Sequence, residues 1–282
     1  MKNNNKVEAI SLDSAIGVID SGVGGLTVAH ELMRQLPKER LIYLGDTLRC
    51  PYGPRSKTEV KKFTWEMVEF LLQKNIKMLV VACNTATAFT LTELQEGLNI
   101  PVIGVILPGA RAAIKFTRNS HIGVIGTDGT IRSNAYPNAL KSINGDIHVS
   151  ALACPMFVPM VEQGILSGEK AKNVVEESLQ VMKEDDHLDT LILGCTHYPL
   201  IKDTIQEVIG DYVTVISSSE ETAREASTIL EFRQLLYKGD RVARHQFFTT
   251  GELGIFEKIA RDIFKTSLPD FRSVIIEKAV IS

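Results

Sequence analysis

Two pairs of short segments recur in the chain in the same order. IGVIDSG begins at Ile16 and returns as IGVIGTDG at Ile122, while VVACNT begins at Val80 and returns as LILGCT at Leu191. The two offsets differ by only a few residues, and each copy is an apolar run that ends in polar residues. Such a repeat predicts two similar units joined in one chain. Around these copies, β-branched runs alternate with amphipathic stretches. AIGVID, RLIYLGD, KMLVVAC, PVIGVI, HIGVIG, IHVSALAC, TLILGC and VTVISS are the strand candidates, and LTVAHELMRQL and KTEVKKFTWEMVEFLLQKN have helical spacing. Runs that are apolar throughout, rather than at every second residue, predict strands buried on both faces of parallel sheets covered by helices.

The expected fold class is therefore α/β, with two pseudo-symmetric doubly wound domains, mainly parallel sheets and a functional site in the cleft between them. PGARAAIK after Ile106 opens the second domain, and SSSEETAREA after Ile216 returns the chain to the first. This makes the first domain discontinuous, residues 1–107 plus 217–282, around a second domain of residues 108–216. HQFFTTGELGIFEKIARDIF is read as a further strand and helix of the first domain. A length of 282 residues suits two such domains.

Composition narrows the function classes. With 44% hydrophobic and 23% charged residues the chain reads as an ordinary water-soluble protein. A net charge of -3 favours neither nucleic acid nor an anionic membrane as the main partner. No apolar run approaches the ~20 residues that span a bilayer. The polar start, MKNNNKVEAISLDS, lacks the apolar core of a secretory signal and reads as a frayed tail. Cys50, Cys83, Cys154 and Cys195 form no C-x-x-C pair, which predicts free thiols in a reducing cytoplasm.

In parallel sheets, ligands collect beyond the carboxyl ends of the strands. Asp20, Asp46, Cys83, Thr127, Cys154 and Cys195 all fall at or just past such ends. Cys83 is followed by Asn84-Thr85 and Cys195 by Thr196-His197 at equivalent points of the repeat, whereas Cys50 and Cys154 lack that polar sequel and read as inert. A cysteine opening a helix meets the helix N-terminal amides, which predicts a lowered thiol pKa. Each thiol alone could equally be a small buried hydrophobe. Together they admit a redox disulfide, a metal site recruiting His197, or proton transfer at a carbon centre. The absence of C-x-x-C weakens the first, and poor C-x-H ligand spacing weakens the second. Proton transfer from opposite faces of a substrate fits two symmetric thiols best.

Asp20, before SGVGG, is placed to assist Cys83, and His197 to assist Cys195, although a strand-end Asp is also a common helix cap. DSGVGG is neither G-x-G-x-x-G nor a Walker loop, so its glycines are read as a tight turn bringing amides to a carboxylate. CPYGPRS brings Tyr52 and the amide of Gly53 as a closing loop, and GTDGT offers the hydroxyls of Thr127 and Thr130. The helical stripe Phe63, Met67, Phe70 and Leu71 reads as core.

The stretches IGVIDSGVGGLTV, YLGDTLRCPYGPRS, VVACNTATA, PGARAA, IGVIGT, VPMVEQG and LILGCTHYPLI cover most of the chain in one order. In these the sequence resembles the glutamate racemases of the aspartate/glutamate racemase superfamily, with Leu48 and Leu107 as departures from the pattern. The resemblance implies cofactor-independent interconversion of L- and D-glutamate, supplying D-glutamate for peptidoglycan, in a cytoplasmic homodimer. It implies Cys83 and Cys195 as paired acid/base thiols, with Asp20 and His197 assisting. It also implies a substrate-binding set of Asp20, Ser21, Tyr52, Gly53, Asn84, Thr85, Thr127, Thr130, Thr196 and His197, with Asp46 and Glu162 in support and no metal. The alternatives are a racemase of aspartate or a related acid, or a non-enzymatic role such as gyrase inhibition on the same scaffold.

Overall fold

The computed structural model describes residues 10–264 and 274–281; residues 1–9 of the expected tail lie outside them. The chain opens with β1 (Ala15–Asp20), α1 (Leu26–Gln35), β2 (Leu41–Gly45), α2 (Lys57–Leu72), β3 (Ile76–Val81), α3 (Asn84–Gly97) and β4 (Val102–Gly104). It continues through α4 (Ile106–Phe116), β5 (His121–Gly126), α5 (Asp128–Arg132), α6 (Ala135–Ile143), β6 (His148–Ala153), α7 (Phe157–Glu162) and α8 (Glu169–Lys183). Then come β7 (Thr190–Gly194), a 3-10 turn (Tyr198–Ile201), α9 (Lys202–Ile209), β8 (Thr214–Ser217) and α10 (Ser219–Phe232). The last described elements are β9 (His245–Thr249), α11 (Leu253–Phe264) and β10 (Val274–Lys278).

One sheet has the order β10-β9-β2-β1-β3-β4 and the other β6-β5-β7-β8. Every strand pair in both is parallel. Within the first, the run β2-β1-β3-β4 has the same order as β6-β5-β7-β8, each strand replaced by the one four places later. The repeat in the sequence is thus a repeat in space: Ile16 and Ile122 are the second residues of the equivalent strands β1 and β5, and the two cysteines follow β3 and β7.

Strand side chains alternate between two helical layers, as the two-residue period requires. In β1, Ile16 and Val18 join the core beneath α1, α10 and α11, while Ala15 and Ile19 join the core beneath α2 and α3. In β7, Leu191 and Leu193 pack toward α7–α9 and Ile192 toward α4 and α6. Met67 and Leu71 are buried in α2 and Phe63 and Phe70 pack beside them, so this stripe is core, as its spacing predicts. Helix α2 starts where it does because Ser56 and Glu59 form a capping box.

One boundary differs from the sequence reading. PVIGVI is strand only over Val102–Gly104, and α4 begins at Ile106. Pro108 sits in the first turn of that helix, where its missing N–H costs no intrahelical bond.

Candidate active site

The carboxyl ends of the two sheets supply a shared set of polar groups. Cys83 caps α3, its Sγ 3.4 Å from the amide of Ala86 and 3.4 Å from Ser21 Oγ. Cys195 follows β7 and its Sγ lies 3.8 Å from His197 Nδ1. The other ring nitrogen, Nε2, is 2.6 Å from Glu162 Oε1 at the end of α7. Asp20, at the end of β1, ties the halves together: Oδ2 accepts from the amide of Gly22 at 2.9 Å and Oδ1 from Thr196 Oγ1 at 3.0 Å. These contacts need a turn without side chains. A Cβ on Gly24 would lie 2.6 Å from both His197 Nδ1 and Thr196 Oγ1, so the glycines of SGVGG let one sheet's turn rest directly on the cysteine segment that follows β7 of the other.

The hydroxyls of Thr85, Thr127 and Thr130 bridge the halves a second time, Thr85 Oγ1 lying 2.8 Å from Thr127 Oγ1 and 3.2 Å from Thr130 Oγ1. Beside them the amide of Gly129 donates to the carbonyl of Gly53 at 2.9 Å. Tyr52 donates its hydroxyl to Asp46 Oδ2 at 2.6 Å; the same carboxylate accepts from Arg49 Nε at 2.6 Å and Thr250 Oγ1 at 2.8 Å. Asp46 therefore anchors the loop that carries Tyr52 and Gly53 rather than facing the cavity. Asn84 accepts from Tyr136 at 2.7 Å, while its buried Nδ2 has no hydrogen-bond partner.

Ser21, Tyr52, Gly53, Cys83, Asn84, Thr85, Thr127, Cys195, Thr196 and His197 line one closed cavity, with Pro51 and Val158. Asp20, Thr130, Asp46 and Glu162 stand behind that lining. The cavity measures about 10 Å³, room for about one water molecule and too small for an amino acid.

Electrostatics set the two thiols apart. Burial, reinforced by the nearby Asp20 charge, pushes the Cys83 thiol up to about 12. This corrects the expectation from helix position: desolvation outweighs the α3 amides, and Cys83 is a thiol in the closed protein. Burial also raises the Asp20 carboxyl, opposed by the His197 charge and by bonds from Gly25, Gly22 and Thr196. On the other side burial opposes charge on His197, but Cys195, Cys50 and Glu162 together outweigh it and hold the imidazolium well above its usual range. Burial likewise opposes charge on Glu162 and His197 reverses it, keeping the carboxyl below its usual range. The arrangement sets the neutral Cys83 thiol opposite a Cys195 sulfur that lies beside an imidazolium–carboxylate pair.

Cys50 does not stand apart as the sequence suggested. Its Sγ is 3.6 Å from Glu162 Oε1, at the edge of the relay. The signal was its place inside RCPYG, beside Tyr52. Cys154 is buried in the core between Phe157 and Tyr198, whose hydroxyl bonds its carbonyl. Arg49, Thr250 and Tyr136, which fix Asp46 and Asn84, were not legible as site residues.

Residues 16–226 match the model of the family described as Asp/Glu/hydantoin racemase. The chain belongs to that family. It is 68% identical over 271 residues to a glutamate racemase of Oceanobacillus iheyensis, covering 96% of this chain and 98% of the relative. Its fold matches the crystal structure of a glutamate racemase isoform from Bacillus anthracis with TM-score 0.88 and 51% identity, over 95% of this chain and 97% of the other. The glutamate racemase of Francisella tularensis in complex with D-glutamate matches with TM-score 0.85 and 34% identity, covering 95% and 98%. Among the described residues, no helix is long and apolar enough to cross a membrane.

Proposed function

We propose that this racemase interconverts L- and D-glutamate without a cofactor, using Cys83 and Cys195 as acid and base on opposite faces of the α-carbon. The observation that carries the reading is the placement of these thiols at equivalent strand ends of two equivalent sheets, lining one cavity with unlike partners.

In one direction the proton between Cys195 and His197 rests on Nδ1, so that Cys195 acts as a thiolate beside the imidazolium that Glu162 holds. The Cys195 thiolate removes the α-proton from one face and Cys83, held as a thiol, delivers its own proton to the other. The pair ends with Cys195 protonated and Cys83 as thiolate, which is the starting state for the opposite enantiomer. Asp20, already above its ordinary range, takes or returns a proton on the Cys83 side. The unpaired Asn84 Nδ2 and the hydroxyls of Ser21, Thr85 and Thr196 are donors for the substrate carboxylates. Closure excludes water, which strengthens those interactions as negative charge develops on the α-carbon.

The likeness to the D-glutamate complex supports glutamate rather than aspartate. With it go the division into domains of residues 1–107 plus 217–282 and 108–216, a homodimer, a cytoplasmic location, and supply of D-glutamate to peptidoglycan synthesis. Circular dichroism of L-glutamate, D-glutamate and L-aspartate with purified protein tests the reaction. Loss of signal from both glutamate enantiomers and not from aspartate is expected; an unchanged signal from all three refutes it.

A further inference from the structure

Three metal-ligating side chains meet at the outer edge of the relay. Cys50 Sγ, Glu162 Oε1 and His197 Nε2 all lie within 4.8 Å of one another. They come from the loop after β2, the end of α7 and the turn after β7, so no sequence spacing reveals them. What keeps the space between them open is Gly22. A Cβ there would stand 2.6 Å from Glu162 Oε1, 3.0 Å from Cys50 Sγ and 3.3 Å from His197 Nε2. The missing side chain leaves a cradle faced by one sulfur, one oxygen and one nitrogen.

We propose that Cys50, Glu162 and His197 form a binding site for a thiophilic divalent cation of the zinc type, and that its occupation shuts off the acid/base relay. Thiolate, imidazole and carboxylate are the donors such ions take, with three protein ligands and one position left open. Tetrahedral bonds of the usual lengths place sulfur and oxygen about 3.6 Å apart and nitrogen and oxygen about 3.3 Å apart. Cys50 Sγ and Glu162 Oε1 already stand 3.6 Å apart. The Glu162–His197 pair, at 2.6 Å, opens on binding.

The exchange conserves charge. Before it, a neutral thiol, an imidazolium and a carboxylate sum to zero; afterwards a thiolate, a neutral imidazole, a carboxylate and a dication again sum to zero. Two protons, from Cys50 Sγ and His197 Nε2, pass to solvent. Glu162 also lines a cavity of about 530 Å³ with Val23, Asp46 and Arg49, which gives the ion a way in from outside the substrate cavity. The inhibition, though not the binding, rests on the proposed racemase mechanism: His197 with metal on Nε2 keeps its remaining proton on Nδ1 and no longer accepts one from Cys195.

Titration of the EDTA-treated protein with Co²⁺ tests the site by absorbance alone. One equivalent producing a thiolate-to-cobalt charge-transfer band, displaced by Zn²⁺ and lost in Cys50→Ser, is the expected result. No such band, or a band that persists in Cys50→Ser, overturns the site. Should Cys50→Ser fail to fold, Glu162→Gln weakening the same titration serves as the second variant, and unaltered binding there overturns it equally. Zn²⁺ is then added to the glutamate assay. The wild type loses activity that EDTA restores, whereas the rate of Cys50→Ser, whatever its metal-free value, does not fall on adding Zn²⁺; a bound metal without inhibition refutes the regulatory half. A cobalt band in a protein that never racemises glutamate leaves the site standing and removes the racemase reading.

Discussion

Removing the Tyr52 hydroxyl tests how the loop that carries Tyr52 and Gly53 is held. Tyr52 and Asp46 are both almost wholly buried, and their 2.6 Å bond shares the carboxylate with Arg49 and Thr250. In Tyr52→Phe the ring keeps its packing against Phe63, while Asp46 Oδ2 is left with Arg49 alone. A hydrogen bond to a charged group contributes about 1.5–3 kcal/mol, so urea unfolding should show a loss of that size. The same bond fixes the loop whose Gly53 carbonyl accepts from Gly129 across the cavity. Part of the loss should therefore appear as a raised KM for glutamate, at about tenfold per 1.4 kcal/mol, with kcat less affected. Combining Tyr52→Phe with Asp46→Asn in a double-mutant cycle should return a coupling of about 1–3 kcal/mol. A Tyr52→Phe protein with wild-type stability and KM, or a cycle with no coupling, refutes the anchoring role of Asp46.

Gly24→Ala places a Cβ 2.6 Å from His197 Nδ1 and Thr196 Oγ1; the far-ultraviolet spectrum should be retained while racemisation is largely lost, and an active variant contradicts the close packing of this turn. His245 offers a pH test. Burial, with the Arg241 and Arg40 charges, lowers it to about 4, and its Nδ1 accepts from the amide of Leu41 at 3.2 Å. Because the unfolded chain takes up this proton first, the contribution of neutral His245 is complete above the unfolded value of 6.5. It is lost as pH falls toward 4, with about 2 kcal/mol gone by pH 5. Urea midpoints at pH 7.5 and pH 5 should converge in His245→Gln relative to wild type, and an unchanged difference contradicts this.

Much of the fold was readable because buried parallel strands leave a strong mark. HIGVIG and AIGVID coincide with β5 and β1, and the repeat anticipated the matching order of the two sheets. Strand β10 was not anticipated: it is an edge strand whose VIIEK sequence is half exposed, so its apolar run is short. The polar residues after each strand could be assembled into one cavity because strand ends converge. Their ionisation could not be read, since Cys83 shows its helix position in the sequence but not the desolvation that overrides it. Nor could Cys50, Arg49 and Thr250, whose roles arise from contacts between segments far apart in the chain.

The central claim is that each thiol serves one face of the α-carbon, and solvent isotope incorporation tests it most directly. Racemisation of each glutamate enantiomer is started separately in D₂O, and the earliest product and the remaining substrate are examined by proton NMR. A thiol carries one proton, so the one removed stays on its own side while the opposite thiol delivers deuterium. The account predicts product deuterated at the α-carbon from the first turnovers in both directions, with recovered substrate still protiated. Product that retains the substrate's own α-proton would show a single base acting on both faces and would contradict the two-thiol account.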